Sequence, residues 1–253
     1  MKKYTCAIFL GLAGMAMVFG GDFSLNAGAG GLLGGFFTRY TLTADGKIEG
    51  ERIKIDATQE MNQFNYGFFA FFDVIYRKFG GEFSVSYQNG ENTYKETADI
   101  SVLTGGANDS GKGWESALGF SLLGKYLLSL NERLIIFPLL GIEYQIALSQ
   151  ERTQADGWVY DRTDGLREKD KDGKAYRLED WNSFWINVGG GLDFALTENF
   201  LVRGELIYGF RLLTSYETKN LNLMKSQAGD PNPKLTGLTS GPSLRICAGY
   251  RFL

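Results

Sequence analysis

SLRICAGYRFL, residues Ser243–Leu253, is the stretch on which the fold turns. Leu244, Ile246, Ala248, Tyr250 and Phe252 alternate with Arg245, Cys247, Gly249 and Arg251. A period of two belongs to a strand with one apolar and one polar face. Left with a free edge, such a strand invites pairing with other chains. The expectation is that the rest of the sequence curls round to meet it and closes a barrel.

Working outward, the same alternation recurs. In Phe200–Leu212, Val202, Leu206, Tyr208 and Phe210 oppose Arg203, Glu205, Gly209 and Arg211. In Phe184–Leu196, Phe184, Ile186, Val188, Leu192 and Phe194 oppose Asn187, Gly189, Gly191 and Asp193. Leu134–Leu148, Trp114–Leu128, Glu82–Gln88, Met61–Tyr76 and the glycine-rich Phe23–Leu42 complete the set. Two of these carry an ambiguity. Met61–Tyr76 has Phe69 and Phe71 in the phase opposite to its other aromatics, and Pro138 lies inside Leu134–Leu148, where proline prefers edges and bulges.

The strands are joined alternately by short turns and by long polar segments at about 43–60, 89–113, 149–183 and 213–240. In an up-and-down meander, all the long segments then lie at one end. Short turns at one end, long loops at the other and an even strand number are the pattern of outer-membrane barrels. The expected fold is all-β: an eight-stranded antiparallel up-and-down transmembrane β-barrel.

Composition agrees. Thirty-four glycines, 13 Tyr and 19 Phe against 4 Pro suit many strands. The formal charge of -3, without a Lys/Arg run, gives no nucleic-acid signal. Met1-Lys2-Lys3, the apolar run Cys6–Phe19 and the small residues to Gly20 have the grammar of a secretory signal peptide. The reading is a leader over 1–20, with a cut after Gly20 or alternatively Gly21, and a single barrel over 21–253. The expected localisation is the bacterial outer membrane.

Alternation does not say which face is outside, since a soluble lipid-binding barrel also alternates. Two features favour the membrane. The polar face is filled largely with Gly, Ala, Ser and Asn, as suits a narrow lumen. Aromatics gather at strand ends: Phe23, Tyr126, Phe194, Phe200, Tyr250 and Phe252 near the turns, and Tyr66, Tyr87, Trp114, Tyr144 and Trp185 toward the long loops. These are read as two interfacial girdles. The same phasing sends Glu82, Glu115, Glu143, Asp193 and Glu205 into the lumen with Lys125, Arg203, Arg211, Arg245 and Arg251. Opposite charges in a narrow lumen pair and cross-link the wall. Arg203, Glu205, Arg211 and Arg245, on adjacent strands, are the expected cluster.

The basic leader, the Phe23–Leu42 strand, NFLVRGELIYGFRL at 199–212 and the closing GYRFL resemble small eight-stranded outer-membrane barrels of the OmpW/OmpX-like group and spirochaete (Treponema) barrels. The resemblance implies outer-membrane lipid as surroundings and insertion by the barrel assembly machinery, which reads an aromatic C-terminal strand. Here Leu253 follows Phe252, a departure from the usual terminal aromatic.

Chemistry-bearing motifs are scarce. The chain has no histidine, the usual general base, so it is not expected to be an enzyme, and no catalytic, cofactor or metal residues are assigned. Glu168–Gly173 with Glu179 nearly fits a calcium loop, but Glu stands first, Ala175 replaces a larger apolar residue, and a solvated turn is the simpler reading. Gly28-Ala29-Gly30-Gly31 lacks the third glycine and the βαβ unit of a nucleotide motif. Cys247 is a lone inward thiol. The functional expectation is a structural and interaction role, with surface loops meeting an extracellular ligand or host molecule. The alternative is a narrow channel for passive uptake of small or hydrophobic solutes.

Overall fold

A computed structural model describes residues 23–48, 51–100, 107–154, 159–161, 181–212, 214 and 234–252. The leader, the Glu168–Glu179 segment and Leu253 lie outside them. The described chain is built from β1 (Phe23–Ile48), β2 (Glu51–Tyr76), β3 (Phe79–Ile100), β4 (Ala107–Tyr126), β5 (Leu128–Ser129), β6 (Leu134–Gln154), β7 (Val159–Asp161), β8 (Ser183–Ala195), β9 (Phe200–Arg211) and β10 (Lys234–Arg251).

The sheet runs β4-β3-β2-β1-β10-β9-β8-β6, and β6 pairs back onto β4. Eight antiparallel staves therefore form a ring. β5 and β7 are short additions paired to the two ends of β6. The terminal strand closes the ring as its alternation implies: Gly28 faces Gly249, Gly30 faces Cys247 and Leu32 faces Arg245. Below the last ladder pair, the Phe252 amide donates to the Leu25 carbonyl at 2.8 Å and the Arg251 amide to the Asn199 carbonyl at 2.7 Å.

Short turns carry their own local chemistry. Asn131 Oδ1 accepts from the Arg133 and Leu134 amides, and Thr197 Oγ1 from the Asn199 and Phe200 amides. These side chains satisfy amides that the ladder leaves over. Pro138 is accommodated because β4 stops pairing with β6 at Lys125↔Leu139 and β5 resumes at Leu128↔Ile136. It falls in the gap, where no donor is required.

Several staves run further than expected. The segments 43–60 and 89–113 are mostly strand, not loop, and β10 begins at Lys234 and passes through Pro242. Charged residues exclude these segments from lipid, but the ladder continues in water with its inward phase still buried at Ala44, Asn92 and Tyr94, and Thr58, Tyr94 and Thr97 favour extended backbone. β1 and β2 have 26 residues each. At about 3.3 Å per residue and a tilt near 40°, each rises roughly 65 Å, about twice a ~30 Å hydrocarbon core. β8 and β9 have 13 and 12 residues, enough to span and little more. Among the described residues the wall is therefore lopsided, tall over β1–β4 and β6 and low over β8 and β9.

The outer face is apolar. Leu122, Leu140, Ile186, Val188, Leu206, Leu244 and Ile246 are exposed, as are Tyr126, Phe194, Phe200, Tyr250 and Phe252 at the turn end and Tyr66, Trp114 and Tyr144 toward the other. Tyr87 is half-buried among them. Two members of the expected girdles differ. Phe23, opposite Tyr76 in the outward phase, is buried. Trp185 alternates with the exposed Phe184 and Ile186 and so points inward, where it is buried. Strict alternation outranks the preference of Trp for an interface. A closed ladder with greasy side chains outside and charged ones inside is a transmembrane β-barrel, since hydrocarbon offers no partner for an unpaired amide.

The close approach of β1 and β10 depends on glycine. A Cβ on Gly30 would strike the Ile246 carbonyl and the Cys247 backbone, whereas one on Gly31 would meet nothing nearer than the Gly67 carbonyl at 3.8 Å. Gly30→Val is expected to destabilise the barrel by about 1–3 kcal/mol and to diminish the heat-modifiable, folded band on gels. Gly31→Ala should leave both that band and the urea midpoint unchanged.

Candidate functional site

The middle of the lumen is occupied by charge. Arg203 on β9 is its hub and is 1% exposed. Its Nε and Nη2 donate to both oxygens of Asp193 at 2.6 and 2.8 Å, a fork-on-fork pair. Nη2 also reaches Asp73 at 2.6 Å, and Nη1 reaches Glu82 at 2.9 Å. Lys125 on β4 binds Glu82, Glu205 at 3.1 Å and Asp73 at 3.4 Å. Two cations thus tie together β2, β3, β4, β8 and β9, straight across the barrel.

A second layer lies beside it. Arg245 on β10 donates to Glu143 at 3.2 Å and to the Ser84 hydroxyl at 3.4 Å, with Glu82 at 3.8 Å. Glu143 also accepts from Gln145 at 2.7 Å, Asn187 at 3.2 Å and Gln88 at 3.3 Å. Every strand that crosses this level supplies a partner except β1, whose Gly28 and Gly30 make room.

Aromatic rings enclose the cations. Arg203 lies 4.4 Å from the Phe71 centroid and 5.4 Å from Phe137, Lys125 4.7 Å from Phe137, and Arg245 5.2 Å from Phe69. Leu32, Phe69, Phe71 and Cys247 form one buried cluster, and Leu123, Phe137, Leu139 and Ile207 another. The lumen is therefore not lined mainly by small residues, as the sequence suggested. Bulky side chains fill it opposite glycines: a Cβ on Gly191 would strike the Phe137 ring, and one on Gly28 the Phe71 ring. The buried thiol of Cys247 serves as filling.

All ten inward charges named from the sequence point inward, but they do not form one group. Glu82, Lys125, Glu143, Asp193, Arg203, Glu205 and Arg245 are buried together. Arg211 lies nearer the loops, donating to the Tyr40 hydroxyl at 3.0 Å. Glu115 accepts from Gln63 at the same end. Arg251 reaches Asn26 at 3.4 Å near the turns. Asp73, not among the ten, binds both Arg203 and Lys125. Its signal was legible: a carboxylate between Phe72 and Val74 cannot face lipid, and it shares its phase with Phe69 and Phe71. With Asp73 counted, the buried charges among the described residues are five acids, Asp73, Glu82, Glu143, Asp193 and Glu205, against three bases, Lys125, Arg203 and Arg245. Glu82 Oε1 and Glu205 Oε2 are buried acceptors without a hydrogen bond.

Toward the loops the lumen widens into a cup lined by Phe36, Tyr40, Gln59, Gln63, Trp181 and Arg211. Its floor includes Trp185, whose ring packs tilted against Phe36 with centroids 4.5 Å apart and which donates from Nε1 to Ser183. A skipped residue in β6, Leu148, lets Ala117 pair with Ala147 and Ser116 with Ser149, so that Gln150 turns into the cup. Among the described residues, no group of three or more acids or thiols is placed to hold a metal.

The plug makes a quantitative expectation. Arg203→Met leaves Asp73, Glu82 and Asp193 buried without their shared partner and should cost roughly 3–5 kcal/mol, read as a lowered urea midpoint in detergent micelles. Arg203→Lys should recover only part of the loss, because an ammonium cannot engage Asp193 through two parallel bonds.

No protein-family model matches the chain, and no curated protein does. Among solved structures it is similar to Ail, the attachment invasion locus protein of Yersinia pestis, in complex with the heparin analogue sucrose octasulfate (14% identity, TM-score 0.37, covering 90% of this chain and 99% of that one). It is also similar to the outer membrane protein OprG of Pseudomonas aeruginosa (13%, 0.37, 89% and 97%) and to Neisserial surface protein A (12%, 0.33, 88% and 97%). The barrel itself is established by this chain's own strand pairing. With its closed ladder, apolar outer face and aromatic ends, the protein is a transmembrane β-barrel of the outer-membrane type.

Proposed function

We propose that the protein is a sealed membrane anchor that holds strand-built walls and surface loops above the bilayer for interaction, rather than a conduit. The observation that carries this reading is the Arg203–Lys125–Arg245 plug. It fills the lumen between bulky rings, and a cavity beside it, near Glu143 and Arg245, holds about 20 Å³, enough for a water and no solute. A solute path would have to break several charge-assisted bonds at once.

The tall side of the barrel supports the interaction half of the proposal. Strands extending well beyond the hydrocarbon are not needed to span it, and chain in excess of what connection requires is commonly functional. An extracellular ligand or host molecule is the partner this implies. The aromatic last strand, ending Tyr250-Arg251-Phe252, is proposed as the signal read by the barrel assembly machinery, and residues 1–20 as the leader removed on export. No catalytic step is part of the proposal.

In planar lipid bilayers the purified protein is expected to give no single-channel steps. Reproducible conductance, or swelling of vesicles in small solutes, would overturn the sealed-anchor reading in favour of the narrow channel. Protease added to intact cells should cut within the Lys/Arg-rich segment 149–183 and spare the membrane-embedded strands. Protection of that segment in intact cells would count against surface display.

A further inference from the structure

The lipid-facing wall has a recess at the seam. On β1 the outward phase passes from Leu33 to Gly31, and Gly31 pairs with Phe68 on β2 and Ile246 on β10. The missing side chain opens a trough of about 550 Å³ at the seam where the first and last strands meet. Its rim is Leu33, Tyr66, Phe68, Leu244 and Ile246, all exposed. Packing does not explain this glycine. Gly28 and Gly30 are required because a Cβ there would strike neighbouring backbone, but a Cβ on Gly31 has free space. The recess is a feature of the outer surface.

The trough has two chemically distinct ends. Its floor and sides are hydrocarbon. Its loop-side lip carries the Tyr66 phenol and the Asn89 amide, whose Oδ1 accepts from the Tyr87 hydroxyl at 3.1 Å. Tyrosines at that level mark the membrane interface. An apolar slot descending from a polar lip at the interface matches one molecule type in the surroundings: a lipid, with its chain below and its ester and head region above.

We propose that this trough is an acyl-chain site, in which one chain of a bilayer phospholipid lies over Gly31 with its ester region against Tyr66 and Asn89. The occupant follows from continuity, because the trough opens directly onto the lipid-facing band, where Phe83 and Leu122 are also exposed. A chain on a flat wall touches protein on one side. A chain in this slot is flanked by β10, β1 and β2 and gains contacts on three sides, each small and together appreciable. The inference rests on the membrane-spanning reading and adds a preferred lipid position to it.

The test uses the full-length exported chain, refolded in detergent and supplied with palmitoyl-oleoyl phosphatidylethanolamine, with the lipid-bound fraction read by native mass spectrometry. Gly31→Leu fills the slot. Gly81→Leu adds the same bulk to the outer wall at a position where a Cβ meets nothing within 4 Å. The wild type and Gly81→Leu are expected to retain a single lipid alike, and Gly31→Leu to lose at least about five-fold of that bound population. Equal retention by all three overturns the proposal. So does a dimer in the wild type that disappears in Gly31→Leu, since a second copy of the chain would then be the occupant. Partition into lipid vesicles and heat-modifiable migration are measured on the same samples. If these hold while retention is equal, only the acyl-chain site fails; if the wild type does not partition into vesicles, the membrane reading fails and takes the site with it.

Discussion

Every amide that sits in hydrocarbon must find a carbonyl within the protein, and this protein meets that demand by pairing its first strand with its last. Without the β1–β10 ladder, two edges would lie open in lipid. The sequence of the seam reflects the constraint. Gly28, Gly30 and Gly249 line its inner face, where Phe71 of β2 and Leu201 of β9 crowd Gly28 and Gly249 and the β10 strand itself crowds Gly30. The amides of Arg251 and Phe252 extend the pairing to the last described residues, so closure continues to the end of the strand.

Closure creates an inside, and the inside of eight staves is too narrow to leave empty or to line with unpaired charge. The chain resolves this with two cations at the level of greatest crowding, each shared among acids from different staves. Arg203 suits the hub because a planar fork can hold Asp193 with two parallel bonds while its remaining face meets Asp73 and Glu82. Phe71 and Phe137 cover the guanidinium from the sides. Such a plug links strands that the ladder does not make neighbours: Lys125 on β4 and Glu205 on β9 stand on different arcs of the ring. A barrel tied across its bore in this way resists both collapse and opening, which is the property a sealed anchor needs. The same demand explains why bulky rings face glycines, since volume added from one stave must be removed from another.

The outer face obeys a looser rule. Lipid is fluid and accepts most shapes, so the wall can vary between the bulk of Phe68 and the absence of a side chain at Gly31 without cost to the fold. Above the bilayer the constraint changes again. The ladder there is no longer forced, yet it persists along β1, β2, β3 and β4, which separates the length of the strands from the thickness of the membrane.

Period-two alternation determined the spanning strands and, once the wall is known to face lipid, the inward set of charges apart from Asp73, while the spacing of short and long connections supplied the antiparallel meander and the ring; a pleated strand has only two faces, and a charge cannot take the lipid one. Asp73 could have been read by the same logic, and Trp185 likewise, had alternation been ranked above the habit of aromatics to gather at interfaces. Only the tertiary structure decided which inward charges meet. Arg203, Lys125 and Arg245 share a layer while Arg211, Glu115 and Arg251 do not, since contact across a barrel depends on strand tilt and register, and these are properties of the closed ring that no single strand encodes. The height of the walls was likewise hidden: polar residues in water are compatible with loop and with ladder alike, and the neighbouring strand decides between them.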